Sequence, residues 1–286
     1  MTPAGRTKER NTVILDIDDD LDLKKIADSG QCFRWERLGE GRYRVLHGAL
    51  CLRIRALGGG AFELDCGEAE FDAVWRDYFD LGEDYRAIRA RIDPAADPYL
   101  YAAAERQKGV RILRQDPWEA LVCFLISQNK NIPAIRRSVA LLAEACGQKR
   151  TDRSGEVYYA FPGPAAVAAL DGEALRACSL GYRCAYVHAA AQAVLSGGLD
   201  LDRLRDTDGE TALSALTGLP GVGPKVASCV CLFGLHLLDA FPKDVWIRRV
   251  LAQYYPAGWP FERYAPYNGV YQQYLFAYAR EQGGSK

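Results

Sequence analysis

The stretch LPGVGPK, Leu219 to Lys225, constrains the fold more than any other part of the chain. Two prolines and two glycines fall within the five positions Pro220 to Pro224. Proline cannot sit inside a helix, yet helical signals flank the turn on both sides. Thr211 to Leu216 reads as a helix end, with Gly218 expected as its left-handed C′ residue. Pro224 falls at N1 of the next helix, whose apolar stripe is Val226, Val230, Phe233 and Leu237. The pattern is helix, five-residue hairpin, helix. Gly221 and Gly223 permit positive φ and leave backbone N–H groups uncovered, a nest that suits a phosphate oxygen. A plain helical hairpin would use the same glycines.

Lys225 stands in the first turn of the second helix, where the macrodipole repels a cation. That position, with partial burial, favours the neutral amine, which is the nucleophilic form. A solvated surface lysine is the alternative. Asp244 follows nineteen residues later in FPKDVWIRRVL and reads as an N-cap for the helix holding Trp246, Ile247 and Val250.

The 286 residues allow one large domain or two ordinary ones, and 49% hydrophobic content supports a real core. No apolar run approaches the ~18 residues of a membrane span. The opening MTPAGRTKERNTVILDIDDD has no signal-peptide core, so a soluble, cytoplasmic protein is expected. The nine cysteines lie mostly among apolar neighbours and form no C-x-x-C, which predicts buried free thiols rather than disulfides or a metal site. Net charge is −1, but its distribution is uneven. One arginine meets nine carboxylates between Glu63 and Asp84, whereas Arg106–Arg153 and Lys225–Lys286 are net basic. A neutral total can hide a basic face.

The expected fold class is α+β. CFRWERL, YRVLHG, LCLRIRAL and AFELDC read as strands, with LGEG and LGGG as turns. Alternation at Leu52 and Ile54, and at Phe62 and Leu64, predicts an antiparallel sheet with one buried face. Helical signals take over later. Asp116-Pro117 starts one helix, Pro133–Ala145 forms another, and further helices lie near Pro164 and over Tyr186–Leu195. The expected division is a β-sheet domain with flanking helices over 1–108 and an all-helical domain over 109–286.

LPGVGPK resembles the helix–hairpin–helix motif of DNA-repair glycosylases, and the wider chain resembles their 8-oxoguanine DNA glycosylase/AP lyase branch. The endonuclease III-like branch carries a four-cysteine iron–sulfur loop after this region, but the last cysteine here is Cys231. The resemblance implies a TBP-like N-terminal sheet and Lys225 as the nucleophile. Asp244 would stabilise the developing oxocarbenium charge. SGQCFRW would supply the Gly30 carbonyl to the N7–H of the lesion, a donor that guanine lacks. QQYLFAYA would place Gln272 on the Watson–Crick edge and Phe276 on the base face. Cys229 would pack on the opposite face. ISQNKNIP would put Asn129 into the gap left by the flipped base, with Tyr182 as a wedge and Arg183 on the estranged cytosine. Gly221, Gly223 and Trp246 would face the DNA backbone. The carbonyls of Thr217, Leu219 and Val222 would hold an alkali-metal ion. No cofactor is implied, and the partner would be double-stranded DNA containing 8-oxoguanine, bound by a monomer.

The chain departs from the family pattern at three points. Ala134 replaces a second cytosine-reading arginine, Trp246 replaces a histidine, and Ala279 replaces an aspartate beyond Phe276. These changes suggest a divergent prokaryotic branch, nucleoid-associated in its cell, with relaxed choice of the opposite base. A lysine-dependent glycosylase for another oxidised base and a non-catalytic helix–hairpin–helix module remain the alternatives.

Overall fold

The structure, a computed structural model, describes residues 12–283. Met1–Asn11, the first part of the opening stretch read above for its lack of a signal core, lies outside the described residues. A five-stranded antiparallel sheet opens the fold: β1 (Val13–Asp16), β2 (Trp35–Gly39), β3 (Arg42–His47), β4 (Leu50–Gly58) and β5 (Ala61–Leu64), in the order β1-β5-β4-β3-β2. The expected alternation holds. Leu52 pairs with Val45, Ile54 pairs with Leu64, and all four side chains are buried on one face. That face is covered by Leu23 and Ile26 of helix α1 (Leu23–Asp28) and by Phe71, Trp75, Tyr78 and Phe79.

Two β elements escaped the sequence reading. β1 is a four-residue edge strand with only alternate residues half-buried, and it runs straight into aspartates. The second is a ribbon of β6 (Lys149–Thr151) and β7 (Val157–Tyr159). Strands of three residues are too short for a period of two to register.

The helical layer contains α2 (Tyr85–Ala90), α3 (Pro98–Arg106), α4 (Pro117–Ser127), α5 (Ile132–Cys146), α6 (Cys184–Leu195), α7 (Gly209–Thr217), α8 (Pro224–Phe233), α9 (Val245–Tyr254) and α10 (Asn268–Gly283), with further short helices between them, including Pro164–Ala168, where one was expected, and Gly172–Ala177. Asp116 caps α4 by accepting from the Glu119 N–H at 2.8 Å, with Pro117 in the first turn. Every residue of α4 from Pro117 to Ile126 is buried, which marks it as the central helix. α5, α6 and α8 pack around it. α10 packs against α3 and α9. Tyr85, Ile88, Leu100 and Ala103, from α2 and α3, join this helical core rather than the sheet core.

Two glycine expectations need correction. Gly218 caps α7 with φ −67°, a right-handed conformation, and Gly223 is extended at φ −87° and ψ 174°. The hairpin reverses instead at Gly221, φ +78°, where a side chain would also collide with the Tyr186 ring. One left-handed residue suffices for the reversal. Gly223 then serves as the N-cap of α8 without a capping side chain.

All nine cysteines are free thiols, six of them buried. No described helix is long and apolar enough to cross a membrane.

Candidate active site and DNA interface

The hairpin delivers Lys225 to the first turn of α8, half-buried, with its amine 5.5 Å from the centre of the Phe124 ring. Phe124 belongs to buried α4 and stacks on Phe233 of α8, so the floor beneath the lysine is rigid. Asp244 caps α9, accepting from the Ile247 N–H at 2.8 Å. Burial raises its carboxyl above the usual aspartate range, while the Ile247 N–H and the nearby Lys225 charge pull it down. The two residues line one cleft of about 1410 Å³, which Asn129 and Gly223 also line. A lysine amine, a carboxylate and a loop asparagine therefore face a common space large enough for a nucleotide.

The loops at the rim are joined to each other. Asn129 is exposed and left-handed, φ +50°, and donates to the Tyr182 hydroxyl at 3.0 Å. Tyr182 is 53% exposed. Arg183 is buried. Its Nε donates to the Gln128 carbonyl at 2.9 Å, and its guanidinium lies 4.3 Å from the Tyr182 ring centre. In the free protein Arg183 thus ties the two loops together. Lys130, which the sequence reading left out, does the same by donating to Ser138 Oγ and to the Ser179 carbonyl.

The residues assigned to the base do not line the cleft. Gly30, Gln272 and Phe276 cluster at α10, while Cys229 lies on α8. Phe276 is half-buried, and its ring edge lies 3.4 Å from the point where a Gly30 side chain would begin. Gly30 is left-handed, φ +78°, and among the described residues nothing donates to its carbonyl. Gln272, one turn before Phe276, is 3% exposed. Its Nε2 donates to the Pro242 carbonyl at 3.0 Å, which leaves Oε1 buried without a donor. Such an orphan acceptor costs stability unless a ligand supplies the missing N–H. Cys229 is buried beside Lys225; burial raises its thiol, with the amine opposing.

Trp246 packs across Gly283 of α10, and Arg249 lies 5.4 Å over its ring. Its indole holds α9 to α10. In the hairpin, the Leu219 carbonyl already accepts the Val222 N–H at 3.1 Å. A carbonyl oxygen has a second lone pair, so this bond leaves room for a cation. Sequence reasoning missed Lys243 and Arg248, which line the cleft beyond Asp244. Their signal was the run of basic residues around Asp244.

Known proteins share this fold and its two sequence domains. Residues 14–121 match the 8-oxoguanine DNA glycosylase N-terminal domain, and 122–263 match the HhH-GPD superfamily of base excision DNA repair proteins. The chain is 31% identical to the N-glycosylase/DNA lyase OGG1 of Arabidopsis thaliana over 82% of its own length and 66% of that protein's. The solved structure of MBOgg1 in complex with a low-affinity DNA ligand superposes with a TM-score of 0.90 at 36% identity, covering 97% of this chain and 98% of that one. The 8-oxoguanine glycosylase/lyase of Clostridium acetobutylicum, bound to duplex DNA with cytosine opposite 8-oxoguanine, gives 0.89 at 32% identity, covering 96% and 97%. With an antiparallel sheet, a glycine-turned hairpin and a lysine–aspartate pair sharing one cleft, this chain belongs to the 8-oxoguanine DNA glycosylase family.

Proposed function

We propose that the protein excises 8-oxoguanine from duplex DNA and cleaves the abasic strand, acting in base excision repair. One observation carries the chemistry: Lys225 and Asp244 line the same cleft from the starts of two different helices. The base flips out of the stack, and the Lys225 amine attacks the anomeric carbon as the glycosidic bond breaks. Asp244 stabilises the cationic sugar and helps move the amine proton toward the leaving base. The amine adduct opens to a Schiff base. Loss of the adjacent sugar proton then expels the 3′ phosphate, and water releases the lysine. All groups come from the protein and the DNA, so no cofactor enters.

Recognition rests on two open acceptors. The Gly30 carbonyl accepts the lesion's N7–H and rejects guanine, whose N7 is itself an acceptor. Gln272 Oε1 accepts from the donors of the Watson–Crick edge, and the base lies between Phe276 and Cys229. Asn129, Tyr182 and Arg183 occupy the gap and its partner base, while the open N–H groups at Gly221 and Gly223 face phosphates. Thr217, Leu219 and Val222 would hold an alkali-metal ion through their carbonyls, adding positive charge near the phosphates. Trp246 sets the approach of α9 to the backbone. The protein works as a monomer on nucleoid DNA. With Ala134 in place of a second arginine, cytosine selection falls to Arg183 alone.

The test is a single-turnover panel of duplexes carrying 8-oxoguanine, guanine or another oxidised base opposite each normal base. Preferential release of 8-oxoguanine supports the proposal. Equal rates on another oxidised base, or no release with tight binding retained, would move the protein to a different lesion or to a non-catalytic role.

A further inference from the structure

The loop between α1 and β2 carries the Gly30 carbonyl, and its neighbouring carbonyls are all engaged. Ala27 accepts from Arg136 at 2.7 Å, Asp28 from Arg280 Nη1 at 3.1 Å, Ser29 from Gln273 Nε2 at 2.8 Å, and Gln31 from Gln115 Nε2 at 2.8 Å. These four donors come from three parts of the chain, Arg136 from α5, Gln115 from the segment before α4, and Gln273 and Arg280 from α10, and each is a side chain reaching a main-chain oxygen. Gly30 is the gap in the series. Gln273 is the donor adjacent to that gap. It is 2% exposed, and it lies on α10 between Gln272 and Phe276.

A buried amide that serves only packing would be replaced by an apolar side chain at little cost. Gln273 instead spends its donor on the peptide preceding Gly30. That bond fixes the plane of the Ser29 carbonyl and limits the rotation of the next peptide, whose oxygen is Gly30's. It also locks the loop to the helix that presents Gln272 and Phe276. Arg280, on the same helix, adds a second tie and lies 5.3 Å over the Phe276 ring centre. The recognition carbonyl and the base-stacking ring are thereby held in one rigid frame.

We propose that Gln273 is a positioning residue for lesion recognition: through the Ser29 carbonyl it aims the Gly30 carbonyl at the base. This rests on the Gly30 reading above. An abasic site has no base to recognise, so strand cleavage at a preformed abasic site bypasses the Gly30 carbonyl and needs only Lys225 and its surroundings. The two activities can therefore be separated.

The experiment compares the wild type with Gln273→Met, which keeps the volume and removes the donor, and with Gln273→Ala. Each is assayed for 8-oxoguanine release, guanine release and cleavage of a preformed abasic duplex. The expected result is a loss of about tenfold to a hundredfold in 8-oxoguanine release, with abasic cleavage kept within about twofold. Full 8-oxoguanine release in Gln273→Met, or parallel loss of both activities in both variants, would overturn the proposal and reduce Gln273 to a packing residue. Failure of the wild type to prefer 8-oxoguanine over guanine would sink the Gly30 reading itself, a result distinct from any behaviour of the variants.

Discussion

Asp244 serves two purposes with one carboxylate. As the N-cap of α9 it accepts the Ile247 N–H, and as a wall of the cleft it faces Lys225. The purposes separate on substitution. Asparagine caps as well as aspartate, so Asp244→Asn should lose base excision yet melt no lower than the wild type at pH 7. Asp244→Ala should lose excision and about 1 kcal/mol of stability as well. The pH dependence follows from the raised carboxyl. The folded state keeps its proton to a higher pH than the unfolded chain does. Stability contributed by this group is therefore full at low pH and falls as pH rises from the ordinary aspartate range through the raised value. Thermal melts across that window should show a smaller slope in Asp244→Asn than in the wild type, the remainder coming from other raised carboxyls such as Glu119. A slope unchanged in Asp244→Asn would assign it to another group.

At this scale the sequence was legible where contacts are local. Lys225 and Cys229 stand one turn apart, as do Gln272 and Phe276, and short-range spacing predicts their neighbours. The frame around Gly30 was not legible. Gln31 reaches Arg111 across 80 positions, and Gln273 reaches Ser29 across 244. No local pattern encodes contacts made by tertiary folding over such separations.

Among the elements, the hairpin shows how a motif can be read correctly and its parts misassigned. Its place between two helices was evident from Pro220 and Pro224. Which glycine is left-handed was not, because either could close the turn. The structure predicts opposite outcomes for the two. Gly221→Ala meets Tyr186 and an unfavourable backbone conformation, so it should cost about 1–3 kcal/mol from the backbone alone, read as a lowered melting temperature. Gly223 has open space at its Cβ position and an extended backbone. Gly223→Ala should cost less than about 1 kcal/mol and, on the proposed phosphate contact at the hairpin, weaken duplex binding. Equal melting losses in the two variants would contradict this division. The missed strand β1 has a different cause. An edge strand pairs on one side only and needs little hydrophobic content, so pattern reading passes over it.

For the whole molecule, the α+β order was visible as a change of periodicity along the chain. The joint between the layers was not, since it is built from charges that composition treats as surface. Arg34 and Glu119 pair at 3.1 Å with side chains 5% and 8% exposed. Arg34 also donates to the carbonyls of Gly48 and Tyr159, and Glu119 accepts the Gly48 N–H. One pair thus holds the sheet, the ribbon and α4 together. Burial raises the Glu119 carboxyl, with Arg34 opposing. Arg34→Ala should cost about 3–5 kcal/mol by stranding a buried carboxylate. Because the folded carboxyl holds its proton more tightly than the unfolded one, that loss should be smallest at low pH and grow as pH rises through the raised value. Denaturant melts at several pH values check both the size and the slope. A loss under about 1 kcal/mol would mean the joint is held by packing alone.

The central claim is that Lys225 forms a covalent bond with the sugar. The most direct measurement is borohydride trapping on a duplex with 8-oxoguanine opposite cytosine, with Lys225→Gln alongside. A Schiff base at Lys225 predicts a protein–DNA adduct in the wild type and none in the variant, while the variant still binds the duplex. Base release without any trappable adduct in the wild type, or an adduct that persists in Lys225→Gln, would contradict it.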